Sequence, residues 1–150
     1  MTLESAPRRV LIERIGPTRF EIINSRGTRL PVGMADGADF TPVELLLGAI
    51  GTCSAIDVDI LTSRRSEPTA FGAEVTAIKI RNECGNQLDD IHLTFRVSFP
   101  EGEAGDAARA VLPKAVQRSH DQICTVSRTV ELGAEISVEI DDGGGDGGGE

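Results

Sequence analysis

The sequence contains no tryptophan and no tyrosine, and five phenylalanines are its whole aromatic complement. That removes most of the stacking platforms on which nucleic-acid binders hold exposed bases. Basic residues are also in deficit. Fifteen Lys and Arg stand against 24 Asp and Glu, for a formal charge of -9 and a pI near 4.7. A surface of that sign repels phosphate backbones and anionic lipid alike, so neither nucleic acid nor membrane is an expected partner. No uncharged apolar run reaches the roughly 18 residues of a membrane span. The opening residues MTLESAPRRVLIERI lack the apolar core and cleavage site of a secretory leader, so no secretory address is expected. Only three cysteines occur, Cys53, Cys84 and Cys124. An odd, widely spaced set is no disulfide framework; it suits reduced thiols and a cytoplasmic protein. Nothing in the chain demands a cofactor.

What is present is a globular composition, 39% hydrophobic and 26% charged over 150 residues. That length suits a single domain, expected over residues 1–140. The Gly- and acid-rich end, 141–150, has almost no side chains to pack and is expected to be a disordered tail.

Alternating residues predict strands over Val10–Ile15, Arg19–Asn24 and Thr28–Val32, separated by Gly16-Pro17 and by Ser25-Arg26-Gly27. Thr41-Pro42-Val43-Glu44 has the form of a capping box and starts a helix expected to run to about Arg65. Ala73–Arg81 and Ile91–Phe99 predict an antiparallel pair. Gly105–Ile123 predicts a second helix, with Pro113 as a kink or internal break. Ala134–Ile140 predicts a last strand. Hairpins with segregated helices give an α+β fold.

Cys53 lies within the first helix. At about 100° per residue, Leu46, Ala49, Ile56 and Ile60 share its side, so a cysteine packed as a small hydrophobe accounts for it. Gly48 and Gly51 nearby are costly in a helix and point to a close approach by a ligand or another backbone. Asp57 follows one turn later, where its charge would raise the thiol pKa rather than activate the thiol. A cation would have to come from elsewhere, with Arg14, Arg19 and Arg128 the candidates.

Cys124 is expected to end the second helix, with His120 one turn earlier. Three readings stay open: a helix end packed in the core with His120 exposed; a resolving thiol for an oxidised Cys53; or a metal site from Cys53, Cys124 and His120. The negative end of a helix would disfavour a thiolate at Cys124 and suit it to a secondary role. Cys84 in RNECGN reads as an exposed turn thiol, and His92 as a sheet residue facing solvent.

The segment TPVELLLGAIGTCSAIDV resembles the central-helix signature of the OsmC/Ohr-like family, and ICTVSRTVELGAEISVEI resembles its second-cysteine segment. The resemblance covers roughly Arg9 to Ile140. It implies an α+β fold with two central helices wrapped by antiparallel sheets, and an intertwined homodimer with sites at the subunit interface. It further implies that Cys53 is the peroxidatic thiol attacking an organic hydroperoxide, that Cys124 resolves it, and that a dithiol reductant completes the cycle.

The family's peroxidases place a Glu directly after the helix-starting Pro, where it holds an activating Arg. Here that position is Val43 and the acid is Glu44, nine residues before Cys53 and almost on the opposite face. Glu44 is also explained by the capping box. Arg19 is the best match for the Arg, with Arg14 next. The chain thus resembles a broad OsmC-like branch that keeps both cysteines without the full Glu/Arg pattern. The expected function is a thiol-dependent organic hydroperoxide reductase with Cys53, Cys124, Arg19 and Glu44 as its site. The alternative is a non-catalytic dimer that binds a small apolar ligand at its interface.

Overall fold

Turn chemistry sets the N-terminal third of the molecule. In the computed structural model, which describes residues 4–141, β1 (Leu11–Gly16), β2 (Arg19–Ile23) and β3 (Arg29–Val32) form an antiparallel sheet in that order. Asn24 shapes the second turn: its Oδ1 accepts from the backbone N–H groups of Arg26 and Thr28, and Gly27 takes φ 86°, where a side chain would be strained. The three strands lie within a residue or so of their expected limits.

Helix α1 runs Pro42–Ser63 and begins as its sequence predicts. The Thr41 hydroxyl accepts from the Glu44 backbone N–H at 3.2 Å and donates to the Glu44 carboxylate at 2.8 Å. Glu44 therefore binds the capping hydroxyl rather than the Thr41 backbone. A long hairpin follows, β4 (Ala70–Asn82) against β5 (Gly85–Ser98). Both strands run past their expected limits on the turn side, because Asn82 Oδ1 accepts from Cys84 N–H and closes a tight turn that lets pairing run to Asn82–Gly85. Cys84 is exposed at the tip.

Helix α2 (Glu103–Arg118) passes through Pro113 without ending. The expected break falls later. Ser119–Ile123 is a π-helical turn, closed by Cys124 N–H donating to Ser119 C=O at 2.9 Å. A third helix, α3 (Thr125–Leu132), then starts, where the sequence reading placed none. Its hydroxyl-rich sequence, TVSRTVEL, weakens the helical signal. The strand expected over Ala134–Ile140 does not form. Ile136, Val138 and Ile140 are 89%, 88% and 91% exposed. The alternation is real, but a strand needs an edge to pair with, and these residues pair with none within the described chain. The tail expected over 141–150 lies outside the described residues apart from Asp141.

The core is built where α1 crosses β4, α2 and α3, around Ile50, Val58, Ala108, Ala115 and Cys124. The inward side of α1 is Ile50, Gly51, Ser54, Val58 and Thr62. That corrects the expected burial of the stripe containing Cys53: Leu46, Ile56 and Ile60 are exposed. Of the two helix glycines, only Gly51 marks a close approach within the chain. A Cβ there would lie 2.8 Å from Val75 Cγ2, whereas one at Gly48 would meet nothing within 4 Å. Gly48→Ala is expected to stabilise by up to about 1 kcal/mol through helix propensity. Gly51→Ala should lose about 1–2 kcal/mol, because overpacking outweighs the same gain. Denaturant melts of the two variants check the order.

Candidate active site

Two elements distant in sequence carry the site. Helix α1 presents Cys53 and, one turn on, Asp57; the π-helical turn delivers Cys124 beside them. The two sulfur atoms and a carboxylate oxygen of Asp57 all lie within 4.8 Å of one another. Cys124 is fully buried, while Cys53 and Asp57 are half-buried and line the more open side.

The supporting shell comes from serines and from the start of α3. Ser119, wholly buried, donates its hydroxyl to Asp57 Oδ2 at 2.9 Å and shares a 3.0 Å hydrogen bond with Ser54 of α1. Cys124 is the N-cap of α3: its sulfur accepts from Ser127 N–H at 3.4 Å and lies 3.2 Å from the Ser127 hydroxyl. The backbone N–H of Val126, in the same first turn, favours the Cys53 thiolate. Both sulfurs thus sit at the positive end of one helix. Cys124 does close the preceding helical turn, as expected, but it is also the N-cap of a new helix, so its sulfur faces a positive helix end rather than the expected negative one. Its secondary position relative to Cys53 rests on burial.

The Cys53 thiol is pushed above its ordinary pKa, first by burial, then by the hydrogen bond and charge of Cys124, and least by the charge of Asp57; the Val126 N–H pulls the other way. None of these groups is a cation. Arg19 is held by Asp39, with Nε at 2.8 Å and a terminal nitrogen at 2.7 Å from Oδ2. Arg128 donates to the Asp121 carbonyl at 2.8 Å, and Arg14 lies in the first sheet opposite Phe20. Glu44 is occupied by its cap. The structure therefore brings together Cys53 and Cys124 and, within one chain, leaves Arg19 and Glu44 engaged elsewhere. His120 is exposed and 3.6 Å from Glu131, so the metal reading that included it loses its third ligand, and Asp57 stands in that place. Ser54, Ser119, Val126 and Ser127 escaped the sequence reading. Small hydroxyls and backbone donors carry no spacing signal before the turn that gathers them is known. Beside the cluster, a cleft of about 480 Å³ opens between α1 and β5, lined in part by Ile50, Ser54, His92, Phe95 and His120.

The family model described as OsmC-like protein matches residues 35–140, which span both cysteines and the elements that hold them. The chain belongs to the OsmC-like family. An uncharacterized protein of Mycobacterium tuberculosis is 27% identical over 135 residues, 89% of this chain and 96% of that one. An OsmC-like protein of unknown function from Vibrio cholerae shares the fold, with a TM-score of 0.71 and 12% identity over 85% of this chain and 95% of its own. An organic hydroperoxide resistance protein OsmC from Legionella pneumophila does so with a TM-score of 0.57 and 16% identity, covering 84% and 91%. The α+β architecture of the OsmC-like chain is thus the one its sequence predicts.

A raised pKa means less thiolate at a given pH. In the Cys84→Ser background with chelator present, iodoacetamide labelling of Cys53 should accelerate with pH to a midpoint above the ordinary value of about 8.5. Asp57→Asn should move that midpoint modestly downward, read by mass spectrometry of the Cys53 peptide.

Proposed function

We propose that this OsmC-like protein is a thiol-dependent reductase of organic hydroperoxides, acting through Cys53 and Cys124. The observation that carries the reading is the meeting of two sulfurs, one reachable and one buried, from segments seventy residues apart in the chain. The name of the Legionella relative supports it. The Cys53 thiolate attacks the outer peroxide oxygen. The O–O bond breaks, the alkoxide takes a proton and leaves as the alcohol, and Cys53 becomes a sulfenic acid. Cys124 displaces hydroxide from that sulfur, forming the disulfide and releasing water. An external dithiol returns both cysteines to thiols. Such a cycle needs a reducing compartment, which supports a cytoplasmic setting.

Arg19 is held by Asp39 and Arg14 lies on β1, and no arginine is among the groups that act on Cys53, so the Val126 N–H and the α3 dipole are the thiolate-stabilising groups at hand. That same lack of a cation favours a second reading, an OsmC-like binder of a small apolar ligand. Reduced protein treated with cumene hydroperoxide separates the two. The reductase loses two thiols per chain as a Cys53–Cys124 disulfide, and Cys84→Ser behaves as wild type. Cys53→Ser loses no thiols rapidly, and Cys124→Ser stops at a dimedone-reactive sulfenic acid. Thiol loss no faster than in unfolded protein leaves the binder.

A homodimer is the assembly we propose for either reading. In one chain α1 buries Ile50, Gly51, Ser54, Val58 and Thr62 but exposes Leu46, Ile56 and Ile60, while Ile12, Ile136, Val138 and Ile140 also face outward. Apolar surface on that scale is covered by association. Sedimentation should give twice the 15.9 kDa chain mass, and Val138→Lys should shift the equilibrium toward the single chain and lower its melting temperature.

A further inference from the structure

We propose that Cys53, Cys124 and Asp57 form a three-ligand site for a thiophilic divalent cation of the zinc class, with the fourth position open to water. The inference does not rest on the peroxidase reading. It begins with the donor set: two thiols and a carboxylate, which a metal ion would bind as three anionic ligands, meet at a half-buried site, and the partners they have are neutral. Those partners are the Ser119 hydroxyl on Asp57, the Val126 N–H on Cys53 and the Ser127 N–H on Cys124. A bound dication would offset most of the charge of those ligands.

The geometry is close to what such an ion requires. Tetrahedral zinc with sulfur at about 2.3 Å and oxygen at about 2.1 Å sets its ligand atoms roughly 3.6–3.8 Å apart. Here no pair of the three atoms is separated by more than 4.8 Å, so a small rotamer adjustment closes the site. Asp57 is already oriented by Ser119, which is itself held by Ser54, the kind of outer support that ligating carboxylates have. Two thiolates select zinc-class ions over magnesium or calcium, which take oxygen ligands. The half-buried side, at Cys53 and Asp57, is the one from which a fourth ligand would approach. Binding breaks two S–H bonds, forms two metal–sulfur bonds, releases two protons and moves no electrons. Both sulfurs are then held as metal thiolates and withheld from disulfide formation.

The test is a titration of the reduced, chelator-stripped full chain with Co2+ in the absence of oxygen and peroxide, so that turnover plays no part. The expected result is one Co2+ per chain, with thiolate-to-cobalt charge-transfer and tetrahedral d–d bands that equimolar Zn2+ removes and Mg2+ does not. Cys84→Ser should give the same spectrum. Ser119→Ala should bind about 10- to 100-fold more weakly, and Asp57→Asn, which removes a ligand, more weakly still. Cys124→Ser should lose about half the charge-transfer intensity; should it fail to fold, the Asp57→Asn result decides. Absence of the bands in wild type, their loss in Cys84→Ser, or unchanged affinity in a folded Asp57→Asn would each overturn the proposal.

Discussion

The hydrogen bond from Cys124 N–H to the Ser119 carbonyl holds the site together. It closes a turn one residue wider than an α-helical one, and so ends α2 while swinging Cys124 toward α1. The same residue that supplies the carbonyl supplies the hydroxyl to Asp57 and Ser54. One buried serine therefore ties the turn carrying the second cysteine to the helix carrying the first. A fully α-helical path through Ser119–Ile123 would rotate Cys124 by about 100° for the residue saved.

The second feature is electrostatic. Two thiols and a carboxylate share a small volume, and burial raises the cost of charging Cys53. Backbone donors at the start of α3 offset part of that cost. They do so with dipoles rather than full charges, which leaves Cys53 above its ordinary pKa. The groups that act on Cys53 supply no full positive charge.

The packing of α1 bears on both. Its inner face is small and partly hydroxylated, because Ser54 and Thr62 find partners in Ser119 and the Val58 carbonyl, and Gly51 lets Val75 come close. Ile50 and Val58 lie on that inner face too, while Leu46, Ile56 and Ile60 face outward. A helix apolar on the side away from its own core is complete only when that side is covered. The unpaired run Ile136, Val138 and Ile140 has the same need, expressed as a strand without an edge.

The strands from Leu11 to Val32, the start of α1 and the central hairpin were legible in the sequence, because alternation, the Asn and Gly turns, and the Thr41 cap act between near neighbours. The family was legible too, through the residues around Cys53 and Cys124. The helix after Cys124 was not, and neither was the inward face of α1. Helical spacing says which residues share a face of α1, but not which face another element will cover. The meeting of Cys53, Asp57 and Cys124, the sign of the helix dipole at Cys124, and the engagement of Arg19 by Asp39 emerged only with the folded structure. The first and the last depend on contacts between residues 71 and 20 positions apart, brought about by packing that no local pattern encodes; the dipole depends on the start of α3, a local event that its hydroxyl-rich sequence hides.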